Sequence, residues 1–179
     1  MNTIAKYVTK WDALVLVCLT GRLRRDQVIR AMRWTSRGAD GQAYPALFVL
    51  IAVLQSDRWK ILTACFISFA IELVAYKLIK QSVKRPRPFR QLAGFVNLIV
   101  PQDIFSFPSG HAAGAFVVAA MIGSCWPMGL MPAFLWASFV GFSRICLGVH
   151  YPTDVLAGAC LGILSAKTGL FLSSILFFA

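Results

Sequence analysis

The chain has 179 residues, 58% of them hydrophobic and only 14% charged, with a mean hydropathy of +0.69, which excludes an ordinary soluble domain of this size and indicates a membrane protein. The net charge of +11 reflects 18 Lys and Arg against 7 Asp and Glu. The bases fall mainly in two blocks, Lys6 to Arg37 and Lys77 to Arg90, which suit anionic headgroups or an anionic ligand. They match no nucleic-acid module, so nucleic acid is not an expected partner.

In chain order, the first forty residues form a basic amphipathic region distinct from the membrane domain at 41–179. Ile4, Val8, Trp11, Val15 and Cys18 recur at steps of four and three, while Lys6, Lys10 and Asp12 lie off that stripe. This pattern predicts a helix lying in the membrane interface, with Trp11 to Thr20 as an alternative short sixth span. The same charges interrupt the apolar core that a signal peptide needs. The segment "RLRRDQVIRAMRW" is a second basic amphipathic stretch, and "SRGADGQ" supplies a break.

A bilayer core about 30 Å thick needs roughly 20 apolar helical residues. On that measure five spans follow: Ala43 to Gln55, Ile61 to Ile79, Ala112 to Trp126, Leu130 to Val149, and Val155 to Phe178. The predicted fold class is therefore all-α, a polytopic transmembrane bundle of five spans, possibly six, with an amphipathic N-terminal region at the interface. Cys18, Cys65, Cys125, Cys146 and Cys160 are scattered and form no CxxC pair, so packing is their expected role. A carboxylate inside the second span is expensive unless protonated or paired, so Glu72 is expected to bond within the bundle or to touch a site residue. Tyr76 and Lys80 follow it at steps of four and share its helix face. Lys167, in the last span, is expected to pair or to snorkel.

Alternating spans bring four distant pieces to one membrane face. They are "KQSVKRPRP" with Lys80, Lys84, Arg85 and Arg87; "PSGH" with Ser109, Gly110 and His111; Ser143 with Arg144; and "HYPTD" with His150 and Asp154. Taken singly, the bases are interfacial anchors, Pro108 and Ser109 start a helix, and Asp154 complements a helix dipole. Together, cations, a helix N-terminus and the chain's two histidines describe an anion site with acid, base or nucleophile chemistry attached.

The order K80-x6-R87-P88, P108-S109-G110-H111 and S143-R144-x5-H150-x3-D154 closely resembles the three-part signature of the type 2 phosphatidic acid phosphatase superfamily, which includes membrane lipid phosphatases and vanadium haloperoxidases. The resemblance implies that His150 attacks phosphorus to form a phosphohistidine while Asp154 holds its ring. It implies that His111 protonates the leaving oxygen and then activates water. Lys80, Arg87, Ser109, Gly110 and Arg144 would bind the phosphoryl oxygens. Only Asp103 and Asp154 are acids near these motifs, which poorly supplies a two-metal cage, so metal-independent catalysis without a cofactor is expected.

The expected function is hydrolysis of a lipid phosphate or pyrophosphate, with phosphatidic acid, phosphatidylglycerol phosphate, undecaprenyl pyrophosphate and a phosphorylated lipid A as candidate substrates. A lipid phosphotransferase using the same intermediate and a non-catalytic lipid-binding or transport protein are the alternatives. The composition argues against a soluble haloperoxidase. The expected location is a bacterial inner membrane, with the site on the periplasmic face.

Overall fold

The computed structural model describes residues 3–23, 25–101 and 103–178, without the side chains of 3–9, Arg22 and Phe178. Eight α-helices occur among these residues: α1 Thr3–Leu23, α2 Asp26–Arg37, α3 Tyr44–Val53, α4 Arg58–Val83, α5 Pro88–Gln91, α6 Gly110–Cys125, α7 Leu130–Cys146 and α8 Pro152–Phe178. No β-strand is present among them; Pro86 and Phe105 form one isolated antiparallel bridge.

Among the described residues, three stretches are long and apolar enough to cross a membrane, namely Arg58–Val83, Pro127–Cys146 and Pro152–Phe177. Tyr44–Val53 and Gly110–Cys125 are shorter apolar helices. All five lie where hydropathy predicts spans. Helix α4 extends past both ends of its predicted span, because Arg58 and Lys80 continue the helix beyond the apolar window. The bundle is apolar outside as well as inside: Leu78, Leu135, Phe139, Leu156, Leu164 and Phe171 are exposed, as a lipid-facing surface requires. Lys167 lies on that outer face.

Lipid chains are as apolar as leucine, so burial alone does not drive these helices together; close backbone approach does. Helix α8 is the centre of the packing and touches both α4 and α6. A Cβ added to Gly158 would lie 2.4 Å from the Ser109 carbonyl oxygen, one on Gly162 2.2 Å from that of Ala113, and one on Gly169 2.1 Å from Ser68 Oγ. Against α7, Gly141 leaves room for Val155, whose Cγ1 would stand 2.5 Å from an added Cβ. Ala112, Val117, Val118, Met121 and Val140 fill the core between α6 and α7.

The N-terminal helices pack at one end of this bundle. Asp12, Leu16 and Thr20 face inward at steps of four, and Leu16 clusters with Ile145 and Tyr151 beside Leu92 and Phe95. Trp11 and Val15, from the apolar stripe, are exposed, as suits a helix at the membrane surface; the Ile4, Val8 and Lys6 side chains lie outside the described residues. The buried face of α1 is therefore the one carrying Asp12.

Replacing Gly162 by leucine should separate α8 from α6, because its Cβ meets backbone that has nowhere to move; over-packing of this kind costs about 1–3 kcal/mol. Thermal unfolding in detergent should show a clearly lowered midpoint, whereas Leu164→Ala on the outer face should leave the midpoint nearly unchanged.

Candidate active site

The end of α4, the start of α6, the end of α7 and the start of α8 meet at the same end of the bundle as α1 and α2, closed by the segment between Lys84 and Ser109. Two local signals set this up. Lys84 adopts a left-handed conformation, φ 48°, and ends α4 after Lys80. Ser109 caps α6, accepting from the Ala112 amide at 3.5 Å, and its own amide donates to the Asp154 carbonyl at 2.9 Å. That bond ties the start of α6 to the start of α8.

A cavity of about 590 Å³ opens here. Arg87, Gly110, His111, Arg144 and His150 line its polar end; Phe48, Leu62, Phe66, Phe69 and Leu73 line the rest. Lys80, Ser109 and Asp154 stand immediately behind the polar end. All eight residues singled out in the sequence thus converge.

His150 is almost fully buried between Arg87 and Asp154. Its Nε2 lies 3.4 Å from Arg87 Nη1 and its Nδ1 3.7 Å from Asp154 Oδ2. Burial, with the Arg87 and Arg144 charges, outweighs the attraction of Asp154 and lowers its pKa to about 4. The ring is therefore neutral near pH 7, the form in which a ring nitrogen carries a free lone pair. Asp154 is held in turn: Oδ2 accepts the Tyr151 amide at 2.8 Å and Oδ1 accepts Arg85 at 2.7 Å.

The cations are pre-oriented. Arg87, 1% exposed, donates from Nε to the Asp103 carbonyl and from Nη1 to the Val149 carbonyl, each at 2.8 Å. Lys80 donates to Tyr76 Oη and, at 2.5 Å, to Asp103 Oδ2; Tyr76 donates to the same carboxylate. Burial alone would raise Asp103, but these bonds and the neighbouring cations hold its carboxyl below the usual range. Arg144 bonds Ser36 Oγ through Nη1, while its Nε has no partner among the described residues.

Three of these partners come from the first forty residues, outside the motifs. Ser36 meets Arg144, Asp40 Oδ1 sits 2.9 Å from His111 Nε2, and Asp12 Oδ2 pairs with Arg85 Nη2 at 2.6 Å. Asp12 also accepts the Thr153 amide at 3.1 Å and its hydroxyl. In the sequence Arg85 falls in the convergent basic piece without a role, and Asp12 reads as a charge off the apolar stripe that interrupts a signal-peptide core. The available signal was an isolated acid within a basic block. Glu72, expected to pair within the bundle or touch a site residue, has no hydrogen bond or ion pair among the described residues and lines the cavity instead.

Comparison with known proteins decides the family. The model of the PAP2 superfamily matches residues 59–174. The chain belongs to the PAP2 superfamily. Among curated PAP2-like relatives, a lipid A 1-phosphatase of Porphyromonas gingivalis is 41% identical over 76 residues, 40% of this chain and 17% of that protein. A decaprenylphosphoryl-5-phosphoribose phosphatase of Mycobacterium tuberculosis is 37% identical over 119 residues, covering 65% of this chain and 63% of that one. The chain thus spans less than two thirds of these relatives' lengths. The crystal structure of Aquifex aeolicus LpxE superposes with a TM-score of 0.78 at 26% identity, covering 87% of this chain and 92% of that one. A transmembrane PAP2-type phosphatidylglycerolphosphate phosphatase from Bacillus subtilis gives the same score and identity over 94% and 87%. With these membrane neighbours and its apolar helices, this PAP2 protein is an integral membrane protein.

Replacing Asp12 by alanine leaves Arg85 with Asp154 and the Thr153 hydroxyl but without its second carboxylate, and orphans the Thr153 amide at the start of α8. Losing buried partners of this kind costs about 1–3 kcal/mol. Unfolding in detergent should record that loss, and Asp12→Asn, which keeps an acceptor, should lose less.

Proposed function

We propose that this PAP2 protein is a lipid phosphatase that removes the terminal phosphate of a lipid phosphate or pyrophosphate through a phosphohistidine at His150. The observation that carries this reading is a buried histidine whose Nε2 adjoins Arg87 and whose other ring nitrogen faces Asp154, at the polar end of a cavity with apolar walls. The named activities of the curated relatives, lipid phosphatases among them, support the same class.

In the first step His150 Nε2 attacks phosphorus, a P–N bond forms and the bond to the leaving oxygen breaks. Positive charge grows on the ring, and Asp154 offsets it across Nδ1. His111 gives its proton to the leaving oxygen, with the Asp40 carboxylate 2.9 Å from its Nε2. In the second step His111 takes a proton from water, the oxygen attacks phosphorus, and the P–N bond breaks to give inorganic phosphate and free His150. Arg87, Arg144 and Lys80, with the Gly110 amide at the start of α6, meet the charge on the phosphoryl oxygens. Ser109 accepts from Ala112 in its cap, which leaves its own O–H to donate to the phosphate. Lys80 begins paired with Asp103, so an incoming phosphate shares or replaces that carboxylate.

Among the described residues, the carboxylates at the polar end are each committed to a cation or histidine, Asp154 to Arg85, Asp103 to Lys80 and Asp40 to His111, while Glu72 lies further along the apolar wall. The proposed mechanism accordingly draws its positive charge from side chains rather than from a metal.

Phosphate release by the purified protein in detergent tests these assignments, with a long-chain lipid phosphate and a nitrophenyl phosphate compared in EDTA. His150→Ala should abolish both activities. His111→Ala should slow the lipid substrate by about 10²- to 10⁴-fold and the activated ester far less, since a good leaving group needs little protonation. Equal losses would remove the proton-donor role, and activity lost in EDTA but restored by magnesium would remove the metal-free mechanism.

A further inference from the structure

Glu72 lies on the same face of α4 as Tyr76 and Lys80, one helical turn apart at each step. Tyr76 and Lys80 end in the hydrogen-bonded cluster with Asp103. Glu72 does not. It is 3% exposed, lines the cavity, and has neither a hydrogen bond nor an ion pair among the described residues. The lining that α3 and α4 contribute to this stretch of the cavity is mostly apolar, Phe48, Cys65, Phe69 and Leu73, with Tyr44 and Tyr76 among the same lining residues. Eight residues of helix separate Glu72 from Lys80, about 12 Å along the axis.

A carboxyl group set among hydrocarbon side chains at membrane depth is unfavourable unless something bonds it. The cavity runs without interruption from His150 to Glu72, so a ligand with its phosphate at His150 passes this carboxyl before its chains reach Leu62 and Phe66. A polyprenyl phosphate, whose hydrocarbon begins at the ester oxygen, would offer Glu72 only C–H groups. A lipid whose phosphate is joined to its chains through a sugar or another hydroxyl- or amide-bearing unit would offer donors along the stretch of wall between the phosphate and the hydrocarbon.

We propose that Glu72 is a specificity-determining residue that selects lipid phosphates carrying hydroxyl or amide donors between the phosphate and the chains, over bare polyprenyl phosphates. This rests on the phosphatase reading and names the substrate class within it. Glu72 takes no part in bond breaking and contacts the linker rather than phosphorus.

The experiment compares kcat/KM on two probes in the same mixed micelles: an N,O-diacylated glucosamine 1-phosphate and a polyprenyl monophosphate. The wild type should prefer the sugar-linked lipid. Glu72→Leu and Glu72→Met should each lower that preference by about 10-fold or more, because a pocket built to bond a polar group discriminates through that bond. Both variants should hold or increase their activity on the polyprenyl phosphate, which also reports that they fold. Glu72→Gln, retaining a carbonyl acceptor, should keep most of the preference. An unchanged ratio of the two substrates in both apolar variants, whether through equal losses or no loss, overturns this inference alone. If the wild type releases phosphate from neither lipid, the phosphatase reading falls and the inference with it.

Discussion

Positive charge buried at the end of an apolar bundle is the constraint around which this protein is organised. Lys80, Arg85, Arg87 and Arg144 all sit within the polar end, largely out of contact with solvent. Charges so placed are tolerable only with partners at hydrogen-bond distance. Asp103 answers Lys80, Asp12 and Asp154 answer Arg85, backbone carbonyls answer Arg87, and Ser36 answers Arg144. Removing the freedom of these side chains before a ligand arrives is what makes the cluster suited to an anion: the donors need little reorganisation when a phosphoryl group enters.

The scaffold supplies that order through backbone contact. Gly158 and Gly162 let α8 lie against the backbone of α6, and the Ser109 amide bonds the Asp154 carbonyl across the same seam. His111 near the start of α6 and Asp154 near the start of α8 are therefore fixed relative to each other by main chain rather than by long side chains. At the turn before α8, Gly148 takes φ 75° where a Cβ would meet the Phe95 ring at 2.8 Å, so His150 leaves a closely packed corner.

Much of this was legible in the sequence, and the physical reason is distance along the chain. Apolar runs mark helices because each span must satisfy its own backbone, and the five predicted spans fall on α3, α4, α6, α7 and α8. The site motifs are readable because their residues occur at fixed short spacings at span ends, where alternation alone puts them on one face. Partners from far away leave no such trace. Asp12 and Arg85 are 73 positions apart, His111 and Asp40 71, Arg144 and Ser36 108. Each pairing depends on how α1, α2 and the loop at Asp40 dock. Hydrophobic periodicity drew attention to the outward stripe of α1, whereas the inward face is carried by one acid and two residues spaced four apart. Glu72 was visible as an anomaly, but its openness to the cavity depends on the position of α3 opposite α4.

The proposed mechanism stands on the transfer of phosphorus to His150. Its most direct measurement is to mix the protein with a lipid substrate labelled with ³²P in the terminal phosphate, stop the reaction in alkaline detergent, which preserves phosphohistidine, and map the label by peptide mass spectrometry. Label is expected on the peptide carrying His150, stable to alkali and lost in acid, and absent from His150→Ala. Substrate turnover with no label on His150 under these conditions, or label on another residue, would contradict it.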